Sequence, residues 1–318
     1  MRWYLKCAVD NLKGLVPGQE LLRKCKRRIL PYRAMPGRAD FAIEEGIRLI
    51  NLIRSSRDIL RAVCVELGSG WEPLIPILFS LCGAQRVILT DLHRLCCDET
   101  FGTAIAALRR NRNKIVSGLG LHPQAVDGCL ESAPRNMVDG FREFRLEYLA
   151  PCDCTQLPIP EASIDIVYSR AVLEHVEPDV LEGISLESRR ILADSGVVCH
   201  FIDPSDHWEH GDKNISRINF LRYSDAAFRW TYLNPLNYHN RLRHSEYARV
   251  LRRSGFEILK EERIVDSRAV EFARIGLARK FQTFELEDLA TVDSFFLAET
   301  KMGLPSRAVR FQPFSGPA

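Results

Sequence analysis

From residue 62 onward the chain alternates short apolar runs with longer amphipathic ones. Residues 62–67 (Ala-Val-Cys-Val-Glu-Leu) are rich in strand formers and are broken by Gly68-Ser69-Gly70. Residues 73–82 read as a helix, with Pro73 in its first turn and Gly83 at its end. A second strand covers 86–90 and stops at Asp91, and 98–113 form a helix with Ile105, Ala106 and Leu108 facing inward. Strands follow at 146–150 and 164–169, then a helix at 179–192, a turn at Ser195-Gly196 and a fifth strand at 197–202. Ahead of this series, 40–55 carry Phe41, Ile43, Ile47, Leu49, Ile50 and Ile53 at helical spacing, with Asp40 as N-cap. Beyond it come a helix at 245–254 and strands at 256–259 and 293–298. Strands and helices alternating at these lengths predict a parallel sheet with helices on both faces.

Three stretches break the rhythm. Residues 115–145 are mixed and rich in Gly and Pro, and read as an insertion or lid of short helices. Residues 203–244 are irregular and rich in aromatic, His and Arg side chains, and read as a substrate-side segment. Residues 1–38 hold ten Lys/Arg against Asp10 and Glu20, and read as a basic helical extension outside the main domain at 39–318. That extension is expected to be a solvated charged face, or else an amphipathic helix on an anionic membrane surface or acidic partner.

The chain has 318 residues and a net charge of only +3, so no global field points to nucleic acid, and none is expected as a partner. Its ten cysteines show no Cys-x-x-Cys pair, only Cys96-Cys97 and Cys152-x-Cys154, which predicts reduced, buried thiols and a cytoplasmic setting. No apolar leader with a cleavage site stands at the start, and no stretch reaches the ~18 apolar residues of a membrane span.

The chemistry begins where the first strand meets its glycines. At Val65-Glu66-Leu67-Gly68-Ser69-Gly70 the backbone can approach a ligand closely, and the next helix offers free N–H groups. Asp91 lies about 20 residues on, where a carboxylate can accept from both ribose hydroxyls. The third glycine of a dinucleotide fingerprint is absent: Trp71-Glu72-Pro73 follows. No basic side chains gather at the loop, so a cofactor without phosphates fits better than a pyrophosphate.

These residues resemble the class I S-adenosylmethionine-dependent methyltransferases. Glu66-Leu-Gly68-Ser-Gly70 is similar to that family's first motif, and Asp91 matches its ribose-binding acid. Cys152-Asp153-Cys154 with Leu157-Pro158 resembles the segment whose aspartate takes the adenine amino group. Ser163-Ile-Asp-Ile-Val-Tyr-Ser169-Arg170-Ala-Val-Leu-Glu-His175-Val resembles the fourth strand and its turn, and the run from Leu186 to Val198 resembles the approach to strand five. The matches fall in the family's order between about residues 60 and 205. The resemblance implies a Rossmann-like α/β sandwich with a seven-stranded, mostly parallel sheet whose last strand is antiparallel. It implies S-adenosyl-L-methionine as cofactor, with contacts at Glu66, Gly68, Gly70, Asp91, Asp153, Cys154, Ser169 and Arg170. Glu72 stands where the family usually has its third glycine, a departure that leaves the loop's path open. Further on, Asp203-Pro-Ser-Asp206-His207-Trp208-Glu-His210, Asn219-Phe-Leu-Arg222 and Asn240-Arg-Leu-Arg243 resemble a bacterial subgroup encoded with glycan-biosynthesis genes.

In this architecture substrates sit beyond the carboxyl ends of the strands. Strand four leads to Glu174 and His175, and strand five to Asp203, Asp206 and His207. O-methylation needs a base for the acceptor hydroxyl, and a neutral histidine suits that at pH 7. His207 is the first candidate, His175 the second, and Asp206 would orient or substitute. Each histidine has a plain alternative in packing or turn capping. Asp203, Asp206, His207 and His210 could group around a divalent cation, but His207-x-x-His210 is a loose pair, and no metal is assigned. Arg222, Arg241 and Arg243 read either as anion binders or as surface ion pairs.

The function expected is methylation of a saccharide or other small-metabolite hydroxyl. The alternatives are a non-catalytic relative acting as a binding or membrane-docking module, and a nicotinamide-dependent oxidoreductase. The missing third glycine and the Asp153 segment count against the oxidoreductase. The sequence does not fix the acceptor or the oligomeric state.

Overall fold

In the computed structural model the described residues are 4, 37–232, 238–274 and 276–301, so the basic segment expected at 1–38 lies almost wholly outside them. Along the chain run α1 (Arg38–Arg54), β1 (Val63–Leu67), α2 (Leu74–Leu81), β2 (Arg86–Thr90), α3 (Asp98–Arg110), α4 (Arg112–Leu119), α5 (Pro123–Glu131), α6 (Met137–Glu143) and β3 (Leu146–Leu149). Then come β4 (Ile164–Arg170), α7 (Pro178–Ile191), β5 (Leu192–Ile202), α8 (Asp225–Thr231), α9 (His244–Arg253), β6 (Phe256–Val265), α10 (Ser267–Ala273), α11 (Leu286–Leu289) and β7 (Thr291–Thr300). The strands form one sheet in the order β3-β2-β1-β4-β5-β7-β6. Pairs from β3 through β5 are parallel, and β7 runs antiparallel to both neighbours. This is the Rossmann-like arrangement that the resemblance implied, built on the parallel sheet that the alternation of strands and helices predicted.

The sheet is buried on both faces, so its central strands are mostly apolar, and their apolar residues sort by parity. Cys64, Val87, Leu89, Ile166, Tyr168 and Cys199 join the core under α1, α2 and α3. Val65, Leu67, Ile88, Val167 and Val198 join the opposite core, under α7 and α9. Helix α1 buries Ile43, Ile47, Ile50 and Ile53 along one stripe. It starts one turn earlier than expected: Gly37, at φ 79°, is the N-cap, and Asp40 sits in the first turn, where a carboxylate suits the helix dipole. Phe41 points to solvent. In α3 it is Ala104 and Ala107, not Ala106, that face inward with Ile105 and Leu108.

Register decides where the loops emerge. Leu67 pairs with Thr90 on one side and with Ser169 on the other, so β1, β2 and β4 end level. Ser169 pairs with His200, which puts the end of β5 at the same edge. The loops at 68–73, 91–97, 171–177 and 203–206 therefore open together, astride the β1–β4 boundary where the strand order reverses.

Several elements depart from the pattern reading. The segment expected as an insertion or lid forms α4, α5 and α6, and these are packed into the core. They bury Ile115, Leu119, Val126, Leu130 and Phe141, and the carbonyls of Gly118 and Leu119 accept from Asn51 and Arg54 at the far end of α1. The turn at Ser195-Gly196 lies within β5, where the register with β4 jumps from Ile164↔Leu192 to Ile166↔Val197 in a bulge. Strand β6 is longer than expected because its second half, with Lys260, Glu261, Glu262 and Arg263, is the charged edge of the sheet. The segment after β5 has its own small core: Trp208, Ile218, Phe220, Leu221, Phe228 and Tyr232 pack with Ala269, Leu277, Phe281 and Leu289 from beyond β6.

Candidate active site

The first half of the site is the turn after β1. Gly68 and Gly70 have φ of 70° and 64°, the left-handed region open to glycine. A Cβ on Gly68 would come within 2.6 Å of Val172 Cγ2, so the turn also needs its absence to pass the β4 loop. A Cβ on Gly70 would meet nothing within 4 Å, so there the loop borders open space. The path is pinned by Ser69 N–H donating to the Thr90 carbonyl and Gly70 N–H donating to Asp91 Oδ2 at 2.9 Å. Asp91 Oδ1 accepts from His93 N–H, which fixes the carboxylate at the mouth of the loop. Pro73 is the N-cap of α2, and Pro76 falls within its first turn, where N–H groups have no partner to lose.

Glu66 is buried at the end of β1. Burial pushes its carboxyl up to about 8 against the pull of Arg170, and Oε2 has no hydrogen-bond partner. Ser69 Oγ and Glu72 Oε1 are likewise buried and unpartnered. Three orphaned polar atoms around one glycine turn are what a polar ligand with a cationic group would satisfy. Glu72, in the place of a third glycine, is half-buried, and burial raises its pKa against Arg38, Arg170 and Arg110.

Asp153 and Cys154 are brought beside Asp91. Cys152 N–H donates to the Asp91 carbonyl at 2.8 Å, and Cys154 Sγ lies 3.4 Å from Thr90 Oγ1 at the end of β2. The Asp153 carboxylate is exposed, with Oδ1 accepting from Thr155 N–H and hydroxyl. Burial pushes the Cys154 thiol up to about 11.

Ser169 and Arg170 are placed differently. The Ser169 hydroxyl is fully buried in the sheet, 2.8 Å from His200 Nδ1, so its side chain does not reach the loop edge. Arg170 Nε donates to Glu45 Oε2, and its charge acts on Glu66, Glu72 and Glu174. It works as the cation balancing a group of buried acids.

The acceptor half lies across the β4 and β5 loops. Ala171, at φ 51°, turns the chain out of β4 into a 3-10 turn at Leu173–His175. Asn240 holds that turn: its backbone N–H donates to the Glu174 carbonyl, and its amide donates to the Leu173 and Val176 carbonyls. Tyr247 hydroxyl in turn donates to Asn240 Oδ1 at 2.7 Å. His175 Nδ1 lies 2.8 Å from the Tyr238 carbonyl. A carbonyl only accepts, so Nδ1 carries the proton and Nε2 keeps its lone pair. Its pKa is drawn below the ordinary histidine value by desolvation first and by His207 second.

His207 faces His175 with ring centroids 5.1 Å apart, and its Nε2 lies 3.3 Å from Asp203 Oδ2, an ion-pair contact off the hydrogen-bond line. Burial lowers its pKa, but Asp203, Glu174 and Asp206 outweigh that and leave it raised. Asp203, which accepts from Ser205 N–H and hydroxyl, is held well below the usual carboxylate range by His207 and Ser205 despite its burial. Asp206 is turned the other way. It accepts from Trp208 N–H and Tyr232 hydroxyl as the cap of the His207–His210 turn, and burial pushes its carboxyl up to about 6. The carboxylate set against His207 is thus Asp203, not Asp206. Arg241 and Arg243 are buried too: Arg243 donates to the Pro204 carbonyl, and Arg241 donates to the Phe220 and Tyr223 carbonyls and pairs with Asp225. They brace this segment rather than meeting an anionic ligand or lying in surface ion pairs.

Residues 97–200 match the family model of a methyltransferase domain. The match covers about a third of the chain and includes Asp153, Cys154, Ser169, Arg170, Glu174 and His175, while the glycine turn and Asp91 stand outside it. The cofactor that goes with such a domain is S-adenosylmethionine. No curated protein matches the chain. Among solved structures it is similar to the [4+2]-cyclase SpnF, at 14% identity over 81% of each chain with a TM-score of 0.44. It is similar to an S-adenosylmethionine-dependent methyltransferase from Mesorhizobium loti, at 17% identity over 78% of this chain and 96% of that one with a TM-score of 0.42. A third is 1,6-didemethyltoxoflavin-N1-methyltransferase from Burkholderia thailandensis, solved with S-adenosylhomocysteine, at 14% identity over 82% of this chain and 78% of that one with a TM-score of 0.44.

The methyltransferase-domain stretch ends before two residues that complete the acceptor half. The sequence offers Asp203 at the end of strand five as one of four possible cation ligands, but not as the partner of His207. His239 was not singled out, and it packs its ring 4.4 Å from that of His207. Only the aromatic and His-rich composition of the segment could have drawn attention to it.

Proposed function

We propose that the protein is an S-adenosylmethionine-dependent methyltransferase that methylates a hydroxyl of a saccharide or other small metabolite. The observation that carries the cofactor assignment is the buried Glu66 carboxyl at the Gly68–Gly70 turn, its Oε2 without a partner, with Asp91 fixed at the mouth of the turn. S-adenosylmethionine supplies an electrophilic methyl on a sulfonium and brings an ammonium that Glu66 can neutralise. In this reading Asp91 accepts from the ribose hydroxyls, and Asp153 with Cys154 borders the adenine. The family match over 97–200 supports the same reading from the second half of the site.

For the acceptor, the support is chemical. His175 and His207 stand at the ends of β4 and β5, on the edge where the cofactor turn opens. His175 Nε2 keeps a lone pair that can take a hydroxyl proton, and Asp203 steadies His207 when it is charged. Asp206 would act only by holding the His207–His210 turn. The glycan assignment rests on the likeness of 203–243 to a subgroup associated with glycan biosynthesis.

Calorimetry tests the cofactor reading. S-adenosylmethionine and S-adenosylhomocysteine should bind with micromolar affinity and NAD should not. Asp91→Ala should weaken both sulfur compounds at least about tenfold, or about 1.4 kcal/mol. A folded sample that binds neither would sink the reading.

A further inference from the structure

Glu174 has a place in the molecule that a proton-removing histidine pair does not explain. Its side chain is fully buried, and neither carboxylate oxygen has a hydrogen-bond partner. A buried carboxyl left without partners keeps its full desolvation penalty, so such a group needs something to meet it. What stands in front of it is histidine. One ligand atom each from Glu174, His175 and His207 lies within 4.8 Å of the others. Among the described residues this is the one group of three or more His, Cys, Asp or Glu so arranged.

We propose that Glu174, His175 and His207 bind a divalent first-row transition cation, such as Zn2+ or Mn2+, leaving an open position for the acceptor's oxygen. The donor set is two imidazoles and one carboxylate, which suits such ions and leaves coordination sites free for substrate. The surroundings fit ligands rather than free bases. His175 gives its Nδ1–H to the Tyr238 carbonyl, the usual way a ligating histidine is oriented from behind. His207 has the Asp203 carboxylate 3.3 Å from Nε2. The Asn240 bonds described above hold the Glu174 turn rigid before any ion arrives. Asp203 adds a second negative charge near the site. Asp206 and His210, which the sequence grouped with His207, are not members: Asp206 faces Tyr232, and the His210 ring is exposed.

The consequence deepens the reading above and rests on it in one respect, the identity of the open position's occupant. A hydroxyl bound to the cation would release its proton to bulk water at a lower pH than a free one, so the two histidines would hold the ion and His175 would no longer be needed as the base.

The test uses the full chain stripped with a chelator and titrated with Zn2+ by calorimetry, then loaded with Co2+ and read by its visible absorption. One equivalent should bind, with a Co2+ spectrum of low coordination number. Glu174→Gln and His207→Ala should each weaken Zn2+ at least tenfold, while His122→Ala, on the exposed surface, should not. S-adenosylhomocysteine binding by the same variants reports that they are folded. Cofactor binding without Zn2+ binding would overturn the cation site and leave the methyltransferase reading standing. Zn2+ binding without cofactor binding would do the reverse. Zn2+ binding unchanged by both ligand substitutions would also overturn the site.

Discussion

At the residue scale, the two glycines of the cofactor turn are conspicuous in the sequence for the same reason but are required for different ones. Gly68→Ala would put a methyl into Val172 at a positive φ, and it should cost about 1–3 kcal/mol of stability, seen as a lower Tm without ligand. Gly70→Ala meets no neighbour, so its cost should be only about 1 kcal/mol, but it fills the space above the loop and should weaken S-adenosylhomocysteine more than Gly68→Ala does. If both variants lose stability and affinity in the same proportion, the two roles are not separate. The sequence could mark Glu66, Gly68, Gly70, Asp91 and Asp153, since residue type and strand ends suffice for that. It could not show that the Ser169 hydroxyl turns into the sheet toward His200, or that Asp203 rather than Asp206 faces His207. Both depend on the direction of a single side chain at a strand end.

At the element scale, the Leu173–His175 turn is held by a residue from a distant part of the chain. Asn240→Ala removes amide bonds to the Leu173 and Val176 carbonyls and leaves Tyr247 hydroxyl without its acceptor. A loss of about 1–3 kcal/mol is expected by thermal or denaturant unfolding, together with faster hydrogen exchange at residues 173–176 than elsewhere. Uniform exchange across the chain would argue against that anchoring. Elements with strong periodicity, such as α1, α3 and β4, were legible within a few residues. Those set by context were not. The second half of β6 is charged because it forms an edge, and α4, α5 and α6 looked like a lid because Gly and Pro interrupt them, although their apolar faces are in the core.

At the scale of the whole molecule, buried acids tie stability to pH. The Glu66 carboxyl is pushed from an ordinary value near 4.5 up to about 8, so between those values the folded chain holds a proton that the unfolded chain has released. Its contribution is therefore complete below about pH 4.5 and is lost as pH rises toward 8, by at most about 1.4 kcal/mol per unit. Glu66→Gln should be more stable relative to the parent at pH 8 than at pH 5, measured as the difference in Tm without ligand. Equal differences at both pH values would mean that Glu66 does not carry the effect.

The order of the strands bears on how the protein is made. Strand β7 is the last of the seven to leave the ribosome, yet it lies between β5 and β6 and supplies the backbone partners of both. Until it emerges, β6 has no strand partner among the described residues, and β5 shows an open edge of unpaired N–H and C=O groups. The nascent chain must therefore keep an adhesive edge in check until β7 arrives. A chain ending ahead of residue 291 would be expected to need chaperones throughout its life.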